Sequence, residues 1–166
     1  KKDSSKTVII YPNNFEQIYD LFNKLSSSSS EISGAVFIPE QSNDKEFSAK
    51  RNNVFKFNDL KSKVSFVAFR VEGDKISIEE KINNLKKELE LNNSDISTLD
   101  VYQSEPFWKK INNLEVFEKT EHNLIRMVIP PANGSKLSKY LENNHNYFID
   151  WCGSLFWIEV NSKKEE

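Results

Sequence analysis

The sequence predicts an α+β domain: a mostly antiparallel sheet with helices packed on one face, built on a ferredoxin-like core and extended by further strands and helices. Three observations predict it. Short apolar and β-branched runs alternate with amphipathic stretches of helical spacing along most of the chain. The order β-α-β-β-α-β-α-β-α-β-β opens as a split βαβ unit and then adds elements to it. At 166 residues the chain has room for one domain with one sizeable core, so residues 1–166 are read as a single unit.

Val8 to Tyr11 is a β-branched run stopped by Pro12, and Asn13 or Asn14 then opens a helix carrying Phe15, Ile18, Tyr19, Phe22 and Leu25 along one stripe. The serine run 26–30 breaks that helix and leads into a strand over Ser33 to Ile38, ended by Pro39. Residues 41–53 are polar, with Phe47 as the one apolar anchor, and read as an exposed excursion. From Val64 to Glu72 the chain alternates cleanly. Ser65, Val67, Phe69 and Val71 fall on one face and Phe66, Ala68, Arg70 and Glu72 on the other, which makes a central strand carrying two charges.

Ser77-Ile78-Glu79-Glu80 reads as a capping box for a helix with Ile78, Ile82, Leu85 and Leu89 on its apolar stripe. Leu99 to Tyr102 reads as a short strand. Ser104-Glu105-Pro106 is then expected to open a helix whose apolar side is Phe107, Trp108, Ile111 and Leu114. Leu124 to Ile129 is a strand ended by Pro130-Pro131, and Asn133-Gly134-Ser135 turns into a short helix with Leu137, Tyr140 and Leu141. The stretch from Tyr147 to Val160 closes the chain as a hairpin with a buried charge, Asp150, at its turn.

Composition narrows the function. With 23 Lys and Arg against 25 Asp and Glu, the chain lacks the basic excess that neutralises phosphates, so nucleic acid is excluded as an expected partner. The single cysteine, Cys152, forms no internal disulfide, and with His122 and His145 it makes no ligand-like spacing for a metal. A reducing, cytoplasmic compartment is the expectation. No apolar run reaches the length of a spanning helix or a signal peptide. The start at Lys1, with a short polar lead straight into a strand, suggests a piece of a longer parent.

The unusual charges lie inside apolar strands: Arg70 and Glu72 in FVAFRVEG, Arg126 in NLIRMVIPP, and Asp150 in YFIDWCG. Burying an unpaired ion costs several kcal/mol, so each needs a partner, water or a ligand. Two readings stand side by side. One is an internal network of arginines and carboxylates across neighbouring strands; the other is an anion site in which Arg70 or Arg126 forks onto the carboxylate of a small acid. Trp108, Trp151 and Trp157 are candidates for a pocket wall, though aromatic residues at such spacings usually belong to a core. His122 and His145 sit among polar residues without a neighbouring nucleophile, and no flanking cation would activate Cys152. The chain has 4 glycines and no phosphate-cradling loop.

Read end to end, five segments in order resemble a known family: SGAVFIPE (33–40), VAFRVEG (67–73), EPFWKKI (105–111), RMVIPP (126–131) and DWCGSLFW (150–157). They are similar to the segments SGA-x-x-x-P, R-x-E-G, a Trp-containing helix start, R-x-S-x-PP and DWGG-x-x-W. These occur in the C-terminal part of the FAD-binding subunit of bacterial glycolate oxidase, within the FAD-linked oxidases related to vanillyl-alcohol oxidase. The chain departs from the pattern at Met127-Val128-Ile129 and at Cys152, where glycine is usual. It also lacks the paired-histidine signature of related lactate and glycolate flavoproteins, so no catalytic base is carried over.

The resemblance implies a cap or substrate-side domain whose FAD-binding domain precedes residue 1, and FAD as the cofactor, held mainly by that domain. It implies oxidation of glycolate or a similar small 2-hydroxy acid to the 2-oxo acid. Implied partners are the chain's own N-terminal FAD domain, a second flavin subunit and an iron–sulfur subunit, with any membrane location at the inner face and through those subunits. Arg70 and Arg126 are then candidates for the substrate carboxylate, Glu72 and Asp150 for orienting them. The competing expectation is a ligand-binding or subunit-assembly module that does no chemistry.

Overall fold

In the computed structural model, which describes residues 4–40, 43–118 and 121–160, seven strands form one sheet. They are β1 (Ser4–Ile10), β2 (Gly34–Ile38), β3 (Phe66–Gly73), β4 (Ile96–Leu99), β5 (Asn123–Val128), β6 (Asn146–Asp150) and β7 (Leu155–Val160). The order across the sheet is β4-β1-β3-β2-β6-β7-β5, and every neighbouring pair is antiparallel. The first four strands make the split βαβ arrangement expected from the sequence, with β3 inserted between β1 and β2. The closing hairpin β6–β7 and the edge strand β5 extend that core on one side.

Five helices connect the strands among the described residues: α1 (Phe15–Ser27), α2 (Lys45–Val54), α3 (Lys75–Glu88), α4 (Val101–Asn112) and α5 (Gly134–Leu141). They do not all lie on one face. Ile18, Phe22 and Leu25 of α1, Ile78, Ile82 and Leu85 of α3 and Leu141 of α5 pack on Val8, Phe37, Val67, Phe69 and Ile149. Phe47 and Val54 of α2 and Phe107, Trp108 and Ile111 of α4 pack on Ile9, Val36, Ile38, Phe66 and Ala68, which point the other way. The physical reason is visible in β1 to β3. These strands are apolar on both sides, and a bare apolar face would expose several large side chains to water.

In this second layer α4 is joined by α2, which forms where residues 41–53 were expected as an exposed excursion; residues 41 and 42 lie outside the described residues. Asp44 caps α2 by accepting from the Phe47 N–H at 2.9 Å, and Phe47, Arg51 and Val54 turn inward at helical spacing. Arg51 is 1 % exposed, and its guanidinium donates to the carbonyls of Pro39 (2.7 Å), Val64 (2.7 Å), Ile38 (3.3 Å) and Ser62. A charged residue thus acts as a core residue, which composition alone reads as solvated.

Two other helix starts differ from expectation. The cap of α3 is Asp74, accepting from Ile76 N–H and Ser77 N–H, so Ser77 lies inside the helix and not at its start. The cap of α4 is Asp100, whose capping box with Gln103 pulls Val101 and Tyr102 out of the preceding strand and leaves Pro106 inside the helix. In both cases an aspartate upstream of the expected cap captures the first turn. No described helix is long and apolar enough to cross a membrane.

Candidate functional site

All of the candidate strand charges lie on the sheet face that α2 and α4 cover in part. Register rows run Phe66, Ile38, Phe148, Trp157, Arg126 from the centre of the sheet to its edge, all on one face. Arg70 and Glu72 follow Phe66 at steps of two on β3, and Asp150 follows Phe148 on β6. The structure divides these residues into two groups, because β2, β6 and β7 separate β3 from β5. Four strand spacings of about 4.8 Å put β3 and β5 about 19 Å apart, and Arg70 lies four residues further along β3 than the row of Arg126, so the two arginines are more than about 20 Å apart.

The first group is an internal network. Arg70 donates through Nε to Ser33 Oγ at 2.9 Å and through Nη2 to the Ser33 carbonyl at 3.2 Å, and its Nε lies 3.3 Å from Glu72 Oε1. Its guanidinium carbon stands 5.1 Å from the ring centre of Trp108. Trp108 is 4 % exposed, donates from Nε1 to Thr7 Oγ1 at 2.8 Å, and packs against Gly34, where a Cβ would come within 3.1 Å of the indole. Thr7 is in turn 2.7 Å from Ser104 Oγ on α4. Arg70, Glu72 and Trp108 therefore follow the internal-network reading, and Trp108 is a core residue. Ser33 and Thr7 are the members that sequence reasoning missed; the first belongs to the SGA segment, and the second stands opposite Arg70 in the ladder.

The second group is open. Arg126 is exposed on β5, and its guanidinium carbon lies 5.0 Å from the ring centre of Trp151 and 5.9 Å from that of Trp157. Among the described residues no carboxylate lies within ion-pair distance of it. Val128, two residues on along the same face, is 55 % exposed, and Trp151 is 56 % exposed. A guanidinium laid against indoles keeps its edge N–H groups free for a planar anion, which is the geometry that suits carboxylate recognition.

Trp151 reaches Arg126 through an unusual turn. Trp151, Cys152 and Gly153 all take positive φ (51°, 50° and 94°), a conformation that costs a non-glycine residue on the order of 1–2 kcal/mol. Asp150 holds the turn by accepting from the Trp151 N–H at 2.8 Å, Ser154 Oγ donates to the Trp151 carbonyl at 2.8 Å, and Gly153 sits close under Tyr19 and Phe22. Burial pushes the Asp150 carboxyl up, partly opposed by the charge of Arg70. Asp150 thus works on the turn that displays Trp151. Burial likewise pushes the Cys152 thiol up, which disfavours a thiolate.

Further along the same face Glu159, 7 % exposed, accepts from Asn146 Nδ2 at 2.6 Å and lies 3.7 Å from His122 Nδ1. Glu159 and His122, together with Asp44, Glu46, Phe47, Lys50 and Glu121, border a cavity of about 330 Å³. The Phe47 N–H and Asn146 hold the Asp44 carboxyl below the usual carboxylate range. Among the described residues no cluster of histidine, cysteine and carboxylates has the arrangement of a metal site.

A dinucleotide needs backbone that a pyrophosphate can approach, usually at glycine. Here Gly34 is filled by Trp108, Gly73 by Ser77, and Gly134 and Gly153 by Tyr19. None of the 4 glycines is open to a ligand, so these residues do not fit the phosphates of FAD.

No protein-family profile and no curated protein matches the chain. Among solved structures it is similar to alkyldihydroxyacetonephosphate synthase, with a TM-score of 0.58 at 12 % identity. The match covers 98 % of this chain and 37 % of that one, so the chain spans little more than a third of the larger protein. At that identity the likeness carries the fold alone, an α+β domain with an antiparallel sheet.

Proposed function

We propose that the chain is the substrate-side domain of an FAD-linked oxidoreductase acting on a small 2-hydroxy acid, glycolate or a near relative, with Arg126 receiving the substrate carboxylate. The observation that carries the reading is the guanidinium of Arg126, without an ion-pair partner among the described residues, lying over Trp151 and Trp157 on a sheet face that the helices leave open. The fold likeness to a protein of the FAD-linked oxidase kind and the ordered segments from SGAVFIPE to DWCGSLFW support it.

Oxidation of a 2-hydroxy acid to the 2-oxo acid removes two electrons and two protons from the carbinol. The electron acceptor in this reading is FAD, held by a separate domain because the glycines here are closed to it. Among the described residues no acid–base group stands beside Arg126; in this reading the chain's part is to bind and orient, with the proton acceptor supplied from elsewhere in the protein. A second flavin subunit and an iron–sulfur subunit are the proposed onward partners.

The test uses the full-length parent polypeptide, purified and scanned for a flavin absorption band before and after anaerobic addition of glycolate or another 2-hydroxy acid. A bound flavin that bleaches supports the reading, and Arg126→Gln should then raise KM more than it lowers kcat. Absence of bound flavin, or a flavin that no 2-hydroxy acid reduces, overturns it in favour of a binding or assembly module.

A further inference from the structure

We infer that the acid received at Arg126 carries a single carboxylate and an apolar substituent on C2; this rests on the reading above and narrows it. The surroundings of the guanidinium differ in the two directions along its face. Towards the end of β5 stand Val128 and, displayed by the positive-φ turn, Trp151, both more than half exposed. Val128 lies two residues from Arg126, about 7 Å along the strand, which is within reach of a three- or four-carbon side chain on a carboxylate that Arg126 holds. Towards the start of β5, Leu124 pairs with Glu159, a carboxylate already engaged by Asn146.

These two directions select against the other classes of 2-hydroxy acid. A second carboxylate would meet Glu159 on one side and apolar side chains on the other. The chain's two other arginines are committed, Arg51 to backbone carbonyls and Arg70 to Ser33 and Glu72. Glycolate itself would engage Arg126 and leave Val128 and Trp151 exposed, gaining nothing from them. An aliphatic substituent covers both, and the left-handed backbone of Trp151 and Cys152 is consistent with a turn maintained to present the Trp151 ring.

The test is a tryptophan-fluorescence titration of the 166-residue chain at fixed ionic strength with glycolate, 2-hydroxy-4-methylpentanoate and 2-hydroxyglutarate. The expected result is that 2-hydroxy-4-methylpentanoate binds about tenfold tighter than either of the others, the gain expected from partly burying its four-carbon group. Arg126→Gln should abolish the response, and Val128→Ser should bring 2-hydroxy-4-methylpentanoate down towards glycolate. Equal affinities, tighter binding of the dicarboxylate, or no response to any acid overturns the inference.

Flavin bleaching in the parent protein separates this failure from failure of the oxidoreductase reading. A flavin reduced best by glycolate removes the inference and keeps the reading. Selective binding of 2-hydroxy-4-methylpentanoate through Arg126, with no flavin reduction by any acid, removes the reading and keeps the inference.

Discussion

Arg126 and Trp157 stand directly opposite one another on β5 and β7, and the guanidinium carbon lies 5.9 Å from the centre of the indole. The pairing holds an exposed arginine against the sheet face instead of letting it trail into water, which lowers the ordering cost of binding an anion there. A double-mutant cycle of Arg126→Ala and Trp157→Leu, read by urea unfolding, should give a coupling of about 0.5–1 kcal/mol, the range for a cation on an exposed aromatic face. Additive effects would mean that Trp157 does not set the orientation of Arg126.

Arg51 is the residue on which the second helical layer depends. Its replacement by Met should cost about 2–4 kcal/mol, because the carbonyls of Ile38 and Pro39 stay buried without their donor while those of Ser62 and Val64 can turn to water. Arg51→Lys should fall between, since an ammonium reaches fewer of the four than a fork does. Burial lowers the Arg51 pKa to about 10, so the side chain is charged throughout the neutral range and its contribution should not vary with pH there. Equilibrium unfolding of the three proteins measures this; a Met variant as stable as the parent would show that apolar packing replaces the donor.

Much of the fold was legible because most buried residues are apolar and periodic. Phe15, Ile18, Tyr19, Phe22 and Leu25 mark α1 unambiguously, and the alternation from Val64 to Glu72 assigns each side chain of β3 to its observed face. What was not legible has a physical cause in each case. The second helical layer was hidden because its key inward residue, Arg51, satisfies its charge with backbone carbonyls that only the tertiary structure brings together. The starts of α3 and α4 were misplaced because Asp74 and Asp100 outcompete the serine caps a few residues downstream. Within the site, Arg70 and Arg126 looked equivalent in sequence. Only strand order separates the arginine beside Ser33 and Glu72 from the one at the open edge.

Asp150 gives the pH prediction. Its carboxyl ionises near 3.8 when unfolded and at a higher value in the folded chain, because burial outweighs the hydrogen bond from the Trp151 N–H and the attraction of Arg70. Between those two values the folded state binds more protons than the unfolded one, so this residue's contribution to stability is full below 3.8 and declines as pH rises through the folded value. Asp74, held low by the N–H and side chain of Ser77, acts in the opposite sense. So does Glu88, held low by hydrogen bonds from Ser28 and Ser29, and total stability is therefore a poor readout. The difference between Asp150→Asn and the parent isolates the effect. Asparagine can still accept the Trp151 N–H and keep the turn, but it carries no charge to bury. From urea unfolding at pH 3.5 to 8, the variant should gain on the parent as pH rises and then level off once the parent's carboxyl is ionised in both states. A difference that is flat with pH would mean that the Trp151 N–H and Arg70 fully offset burial, and one that falls would mean that they hold Asp150 as a stabilised carboxylate.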